Sequence, residues 1–115
     1  MFNPLAITVG DLLNWKAKED KKNSEYYRME TYNKALQKAL DWSVTKPASA
    51  SKGAAHAYIL AMPMAEDEGA MMYNSPAKGR ATQILYILSN LQGWRGEEAR
   101  EAKAILKAQY EKDKV

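Results

Sequence analysis

The 115-residue chain has no cysteine, which removes disulfides, thiolate metal sites and cysteine nucleophiles together and suits a reducing compartment. Histidine occurs once, at His56, so a zinc site would need mostly carboxylate ligands, an unusual composition for structural zinc. Neither a metal nor a cofactor is expected. No run approaches the roughly 20 apolar residues that cross a bilayer. The start, Met1-Phe2-Asn3-Pro4-Leu5, has neither the basic nor the apolar region of a secretory leader. A cytoplasmic protein without a membrane partner is the expectation. Neither sign of charge dominates: 17 Lys and Arg against 14 Asp and Glu leave +3. That balance permits contact with a polyanion without demanding it, and it excludes a strongly acidic mimic of DNA.

What is present is apolar material at helical spacing. Hydrophobic residues make up 46 % and charged residues 27 %, enough for one small globular domain over 1–115. Thr8-Val9-Gly10-Asp11 approximates a capping box, and Val9, Leu12, Leu13 and Ala17 follow at helical spacing with Trp15 beside them. The polar run Lys18 to Asn23 reads as a fray or turn, after which Ser24 caps a second helix. Its stripe is Tyr26, Met29, Tyr32 or Asn33, Leu36, Ala39 and Leu40, reaching Trp42. Lys46-Pro47 stops it, because a residue before proline avoids the helical region. Residues 8–45 thus form a helical pair, and 46–53, small and polar, a linker.

The remainder, 54–115, reads as a helical unit. Ala54 to Glu68 is alanine-rich, with Tyr58, Ile59 and Met62 on one side and Pro63 as a kink or end. Gly69 looks like a helix end, and Ala70 to Asn74 like a short connection. The clearest helix is 76–92. Ser75 suits its N-cap, Pro76 its first position, and Gly93 a left-handed stop. Ala81, Ile84, Leu85, Leu88 and Leu91 form its stripe, which Tyr86 and Ile87 widen, so it is read as central. A last helix over 97–112 turns Ala99, Ala102, Ile105, Leu106 and Tyr110 inward, with Glu97 and Glu98 at its positive end. The fold class is all-α, about five helices in one small domain.

Chemistry-bearing constellations are sparse. His56 stands among alanines and Tyr58, with no carboxylate at helical spacing to orient it. Glu66-Asp67-Glu68 point in three directions on a helix and cannot converge on one cation. Ser49, Ser51 and Lys52 would need rigid hydrogen-bonded geometry and an oxyanion hole to act as a nucleophilic dyad. Lys78-Gly79-Arg80 lacks the spacing of a phosphate loop. Trp94 reads as a plug over the corner between the last two helices, with Arg95 placed to bond carbonyls or a neighbouring carboxylate there. No catalytic residue is assigned.

Two partner classes follow. Lys78, Arg80, Thr82 and Gln83 sit in the first turns of helix 76–92, where a recognition helix meets DNA, and their types contact phosphates and base edges. Lys34 and Lys38 would add charge. The preceding helix and connection would complete a helix-turn-helix, although that connection is long and helix 76–92 is apolar around much of its girth. The second class rests on abundance: three Trp, seven Tyr and six Met. Met64, Met71, Met72 and Tyr73 flank the central helix, and left exposed they would make an adaptable protein-binding surface. The leading expectation is a non-catalytic helical interaction protein that binds another protein or itself as a homodimer, without a small-molecule substrate. The alternative is a small nucleic-acid-binding regulator. In size and helical texture the chain resembles small single-domain proteins of bacteriophages and mobile elements, without correspondence at the level of a motif.

Overall fold

The computed structural model describes residues 9–115, with side chains from residue 24 onward. Thr8 and the Val9–Ala17 side-chain stripe therefore lie outside the described residues. Among these residues the chain forms five α-helices and no strand, so the all-α reading holds: α1 Val9–Ser43, α2 Ala50–Leu60, α3 Met62–Tyr73, α4 Pro76–Ser89 and α5 Glu97–Asp113.

The helix boundaries differ from expectation in physically instructive ways. α1 is continuous through Lys18–Asn23, and Ser24 caps nothing. Neither glycine nor proline occurs between Gly10 and Pro47, and lysine and glutamate are good helix formers, so a polar run alone does not end a helix. α2 begins at Ala50, inside the expected linker, because Ser49 caps it by accepting the Lys52 backbone N–H. The expected helix over 54–68 is two helices, broken at Ala61. Pro63 lacks the N–H that would close the next turn and instead takes a place in the first turn of α3, where no donor is needed.

The chain divides into two compact units, Met1–Thr31 and Tyr32–Val115. In the first, Tyr26 and Tyr27 pack edge to face at 5.8 Å and Arg28 pairs with Glu25 at 3.7 Å. Both tyrosine rings are exposed, so Tyr26 does not extend the buried stripe expected of it. In the second unit, Tyr32, Ala35 and Ala39 of α1 meet Ala55 and Ile59 of α2, Met62 of α3, Ile84 and Ile87 of α4, and Ala99, Ala102 and Leu106 of α5. Leu91 and Trp94, from the α4–α5 connection, complete the core. Trp94 stacks on Trp42 at 5.9 Å, the expected plug. Lys103, rather than Arg95, bonds its carbonyl, at 2.5 Å. Leu85, expected in the core stripe, is exposed.

α3 and α4 approach each other closely, backbone to backbone. Asn74 takes the left-handed conformation (φ 53°), and Ser75 caps α4 by accepting from the Lys78 N–H, so only two residues separate the helices. So short a turn brings the backbones together, and glycine makes this tolerable. A Cβ on Gly69 would stand 2.6 Å from the Gly79 nitrogen, and one on Gly79 would overlap the Ala65 carbonyl. Gly69 is therefore a contact inside α3, not the helix end expected of it. At the far end α4 stops at Ser89, and the positive-φ glycine of the α4–α5 connection is Gly96, not Gly93.

Candidate functional site

The four residues of the nucleic-acid reading are separated by the geometry of α4. Arg80 turns inward. Its Nε and Nη2 donate to the two carboxylate oxygens of Asp113 at 2.5 and 2.9 Å, and Nη1 donates to Glu66 at 3.4 Å. The guanidinium also lies over the Tyr32 ring, 6.0 Å from its centroid. Gln109 donates to Asp113 at 3.0 Å, so α1, α3, α4 and α5 meet at one polar cluster. The Asp113 hydrogen bond holds Arg80 above its usual pKa, against the opposing effect of burial. Burial pushes the Tyr32 phenol well above its ordinary range, and Arg80 pulls it partly back.

Gln83 is buried and donates to the Tyr58 carbonyl at 2.8 Å. That carbonyl belongs to the last turn of α2, where backbone acceptors lack helical partners. Arg80 and Gln83 are thus occupied by the fold, and both readings of them as phosphate or base contacts are corrected. Lys78 and Thr82 remain exposed, although the Thr82 hydroxyl donates back to the Lys78 carbonyl. Lys38 pairs with Glu98 at 3.6 Å. The two-residue turn is also shorter than the three or four residues of a DNA-binding helix-turn-helix.

The methionine and tyrosine surface has the opposite geometry. Met64, Met71, Met72 and Tyr73 are all exposed, Met71 by 86 %. Met72 and Tyr73 lie on the side of α3 that faces α4. With Ala65, Glu68, Gly69, Gly79, Thr82, Gln83 and Tyr86 they line a groove of about 210 Å³ along the helix crossing. Tyr73 and Thr82 also line a second groove of about 250 Å³, completed by Lys78, Ala81, Leu85, Tyr110 and Lys114. Tyr86 stacks on Tyr58 at 5.4 Å, which carries the apolar surface onto α2. Met64 and Met71, one heptad apart, occupy the opposite, outward side of α3.

Several members of this surface escaped the sequence reading. Leu85, Tyr86, Tyr58, Tyr110 and Lys114 were not singled out for binding. For Leu85 and Tyr86 the signal is the breadth of the apolar stripe on α4, which its neighbours do not cover entirely; Tyr58, Tyr110 and Lys114 carry no such signal.

The remaining candidates carry no reactive geometry. Lys52 donates to the Pro47 carbonyl at 2.8 Å and to the Thr45 carbonyl and hydroxyl at 3.2 and 3.1 Å, and it lies over the Trp42 ring. It fastens the turn between α1 and α2, and Ser49 is the α2 cap. Glu66 is spent on Arg80, while Asp67 and Glu68 are exposed. Among the described residues no group of three or more His, Cys, Asp or Glu side chains is placed to hold a metal ion, and no helix is long and apolar enough to cross a membrane. Comparison with protein-family models, with curated proteins and with solved structures finds no match.

Proposed function

We propose that this protein is a non-catalytic helical interaction module that binds a protein partner, another chain or a copy of itself, through the apolar surface of α3 and α4. One observation carries the reading: Met72, Tyr73, Leu85 and Tyr86 are exposed side by side around the α3–α4 crossing, with Tyr58 stacked against them. Aromatic residues and methionine are enriched in interface cores, and contiguous apolar patches on a monomer mark places where something else docks. The ion pairs of Arg80 with Asp113 and Glu66 support a structural role for the residues best suited to chemistry, since these three side chains are spent on one another. A cytoplasmic location fits the cysteine-free composition, and a bacteriophage or mobile-element origin rests on size and texture alone.

The test compares wild type with Met72→Lys/Tyr86→Lys, both exposed positions whose replacement leaves the core intact. Sedimentation across a wide concentration range reads self-association, and capture on the immobilised protein followed by mass spectrometry reads other partners. Loss in the variant of an assembly or of an identified partner that wild type retains supports the proposal. A variant as folded as wild type that keeps every assembly and every partner removes it.

A further inference from the structure

The two long sides of α3 differ in chemistry, and one of them matches a groove elsewhere on the same chain. The outward side presents Met64, Asp67 and Met71 at i, i+3 and i+7, with Glu68 at its edge, where it also lines the α3–α4 groove, and all four are exposed. α3 contains no basic residue, and its third acid, Glu66, is held by Arg80. Asp67 therefore lies between two exposed thioethers, with Glu68 at the border of ridge and α3–α4 groove, and the ridge carries purely negative charge. The groove between α4 and α5 is the complement. Tyr73, Ala81, Leu85 and Tyr110 line it together with Lys78 and Lys114, the latter also paired with Glu111 at 2.6 Å. At about 250 Å³ it falls below the roughly 300–1,000 Å³ of small-molecule sites. It has room for side chains of a partner, and thioethers pack well against aromatic rings.

We infer, building on the interaction reading above, that the occupant of this groove is the α3 ridge of a second copy, with Met64 and Met71 against the Tyr73, Leu85 and Tyr110 surface and Asp67 and Glu68 facing Lys78 and Lys114. Ridge and groove are different surfaces, so each docked copy still offers a ridge to the next, and the assembly is a ring or an open chain rather than a two-fold dimer. Charge sets this direction: ridge against ridge would oppose carboxylates, and groove against groove would oppose lysines.

A charge-swap experiment tests the pairing. Sedimentation velocity of wild type, at low and high salt, is expected to show concentration-dependent association that weakens with salt. Lys78→Glu/Lys114→Glu, with an acidic ridge and an acidic groove, and Asp67→Lys/Glu68→Lys, with both basic, are each expected to associate roughly tenfold more weakly or worse. Mixed in equal amounts, the two variants present opposite charges at every junction, and association returns. Circular dichroism and thermal unfolding confirm that each variant is folded. A monomeric wild type, association unchanged in either variant, or failure of the mixture to recover each overturns the inference. If wild type is monomeric and Lys78→Glu/Lys114→Glu abolishes salt-dependent binding of a labelled oligonucleotide, the groove serves nucleic acid and the inference falls. A monomeric wild type that still loses an identified partner on Met72→Lys/Tyr86→Lys overturns this inference and leaves the proposed function standing.

Discussion

Arg80 and Asp113, 33 residues apart in sequence, are joined by two parallel N–H···O bonds, with the Asp113 side chain 4 % and the Arg80 side chain 16 % exposed. This fork ties the start of α4 to the end of α5, and Glu66 adds α3. Truncating one member of a buried pair strands the other without its counter-charge, at a cost of about 3–5 kcal/mol. Arg80→Ala should fall in that range, because it leaves the more deeply buried partner with only Gln109. Asp113→Ala should cost less, since Arg80 keeps Glu66 and some access to water. Arg80→Met/Asp113→Leu should recover part of the loss, because an apolar pair of similar volume needs no counter-charge while the buried Gln109 amide still loses its acceptor. Urea unfolding of the four proteins checks this, and a double variant as unstable as the sum of the singles would contradict it.

The α3–α4 crossing makes a sharper distinction among glycines. In an open helix interior, alanine for glycine stabilises by about 0.5–1 kcal/mol. Gly53 in α2 has nothing within 4 Å of a new Cβ, so Gly53→Ala should show that gain. Gly79→Ala should instead cost about 3 kcal/mol or more, because the methyl overlaps a backbone carbonyl of α3 and only separation of the helices relieves it. Gly69→Ala, 2.6 Å from backbone on α4 and in the turn, should behave likewise. Thermal unfolding of the three variants should move the midpoint up once and down twice.

Tyr32 gives the chain an alkaline sensitivity. Burial raises its pKa in the folded state above the ordinary value near 10. Above that pH the unfolded chain gives up its phenolic proton while the folded chain keeps it, so stability falls as pH rises. Below it the contribution is fully present. Tyr32→Phe should therefore flatten the alkaline limb of a stability–pH curve, and the difference between the two proteins isolates this group from the lysines. At neutral pH the variant should be as stable as wild type or better by up to about 1 kcal/mol, because the lost hydroxyl has no hydrogen-bond partner among the described residues.

How much of this was legible depended on whether the cause was local. The start of α4 follows from Ser75-Pro76, and the acidic start of α5 from Glu97-Glu98, because capping and dipole effects act within one turn. Gly69 was misread because a glycine that ends a helix and one that admits another backbone look the same until Gly79 is placed against it. Arg80 was misread for the same reason: its type suits phosphate, but its carboxylate partners come from α3 and α5. Leu85 and Ile87 are equally apolar, yet one is exposed and the other fully buried, a difference set by which neighbours cover α4. Met71, Met72 and Tyr73 are exposed, which their composition and spacing alone do not determine.

Lys52 provides the last test, since a lysine beside two serines invites a nucleophilic reading and its surroundings argue otherwise. Its ammonium donates to three oxygens of Thr45 and Pro47 and lies 5.3 Å from the centre of the Trp42 ring, and the residue is only 9 % exposed. Acylation would have to break these bonds and open the turn, so Lys52 should be among the slowest lysines to react with an amine-directed label, well behind exposed Lys78. Peptide mass spectrometry over a time course measures both rates in one sample. Lys52→Met keeps the stem but loses the donors. It should cost about 1–2 kcal/mol rather than more, because the Thr45 and Pro47 oxygens belong to exposed residues and water can replace the lysine. Rapid labelling of Lys52, or a Met variant as stable as wild type, would show that the turn does not depend on this side chain.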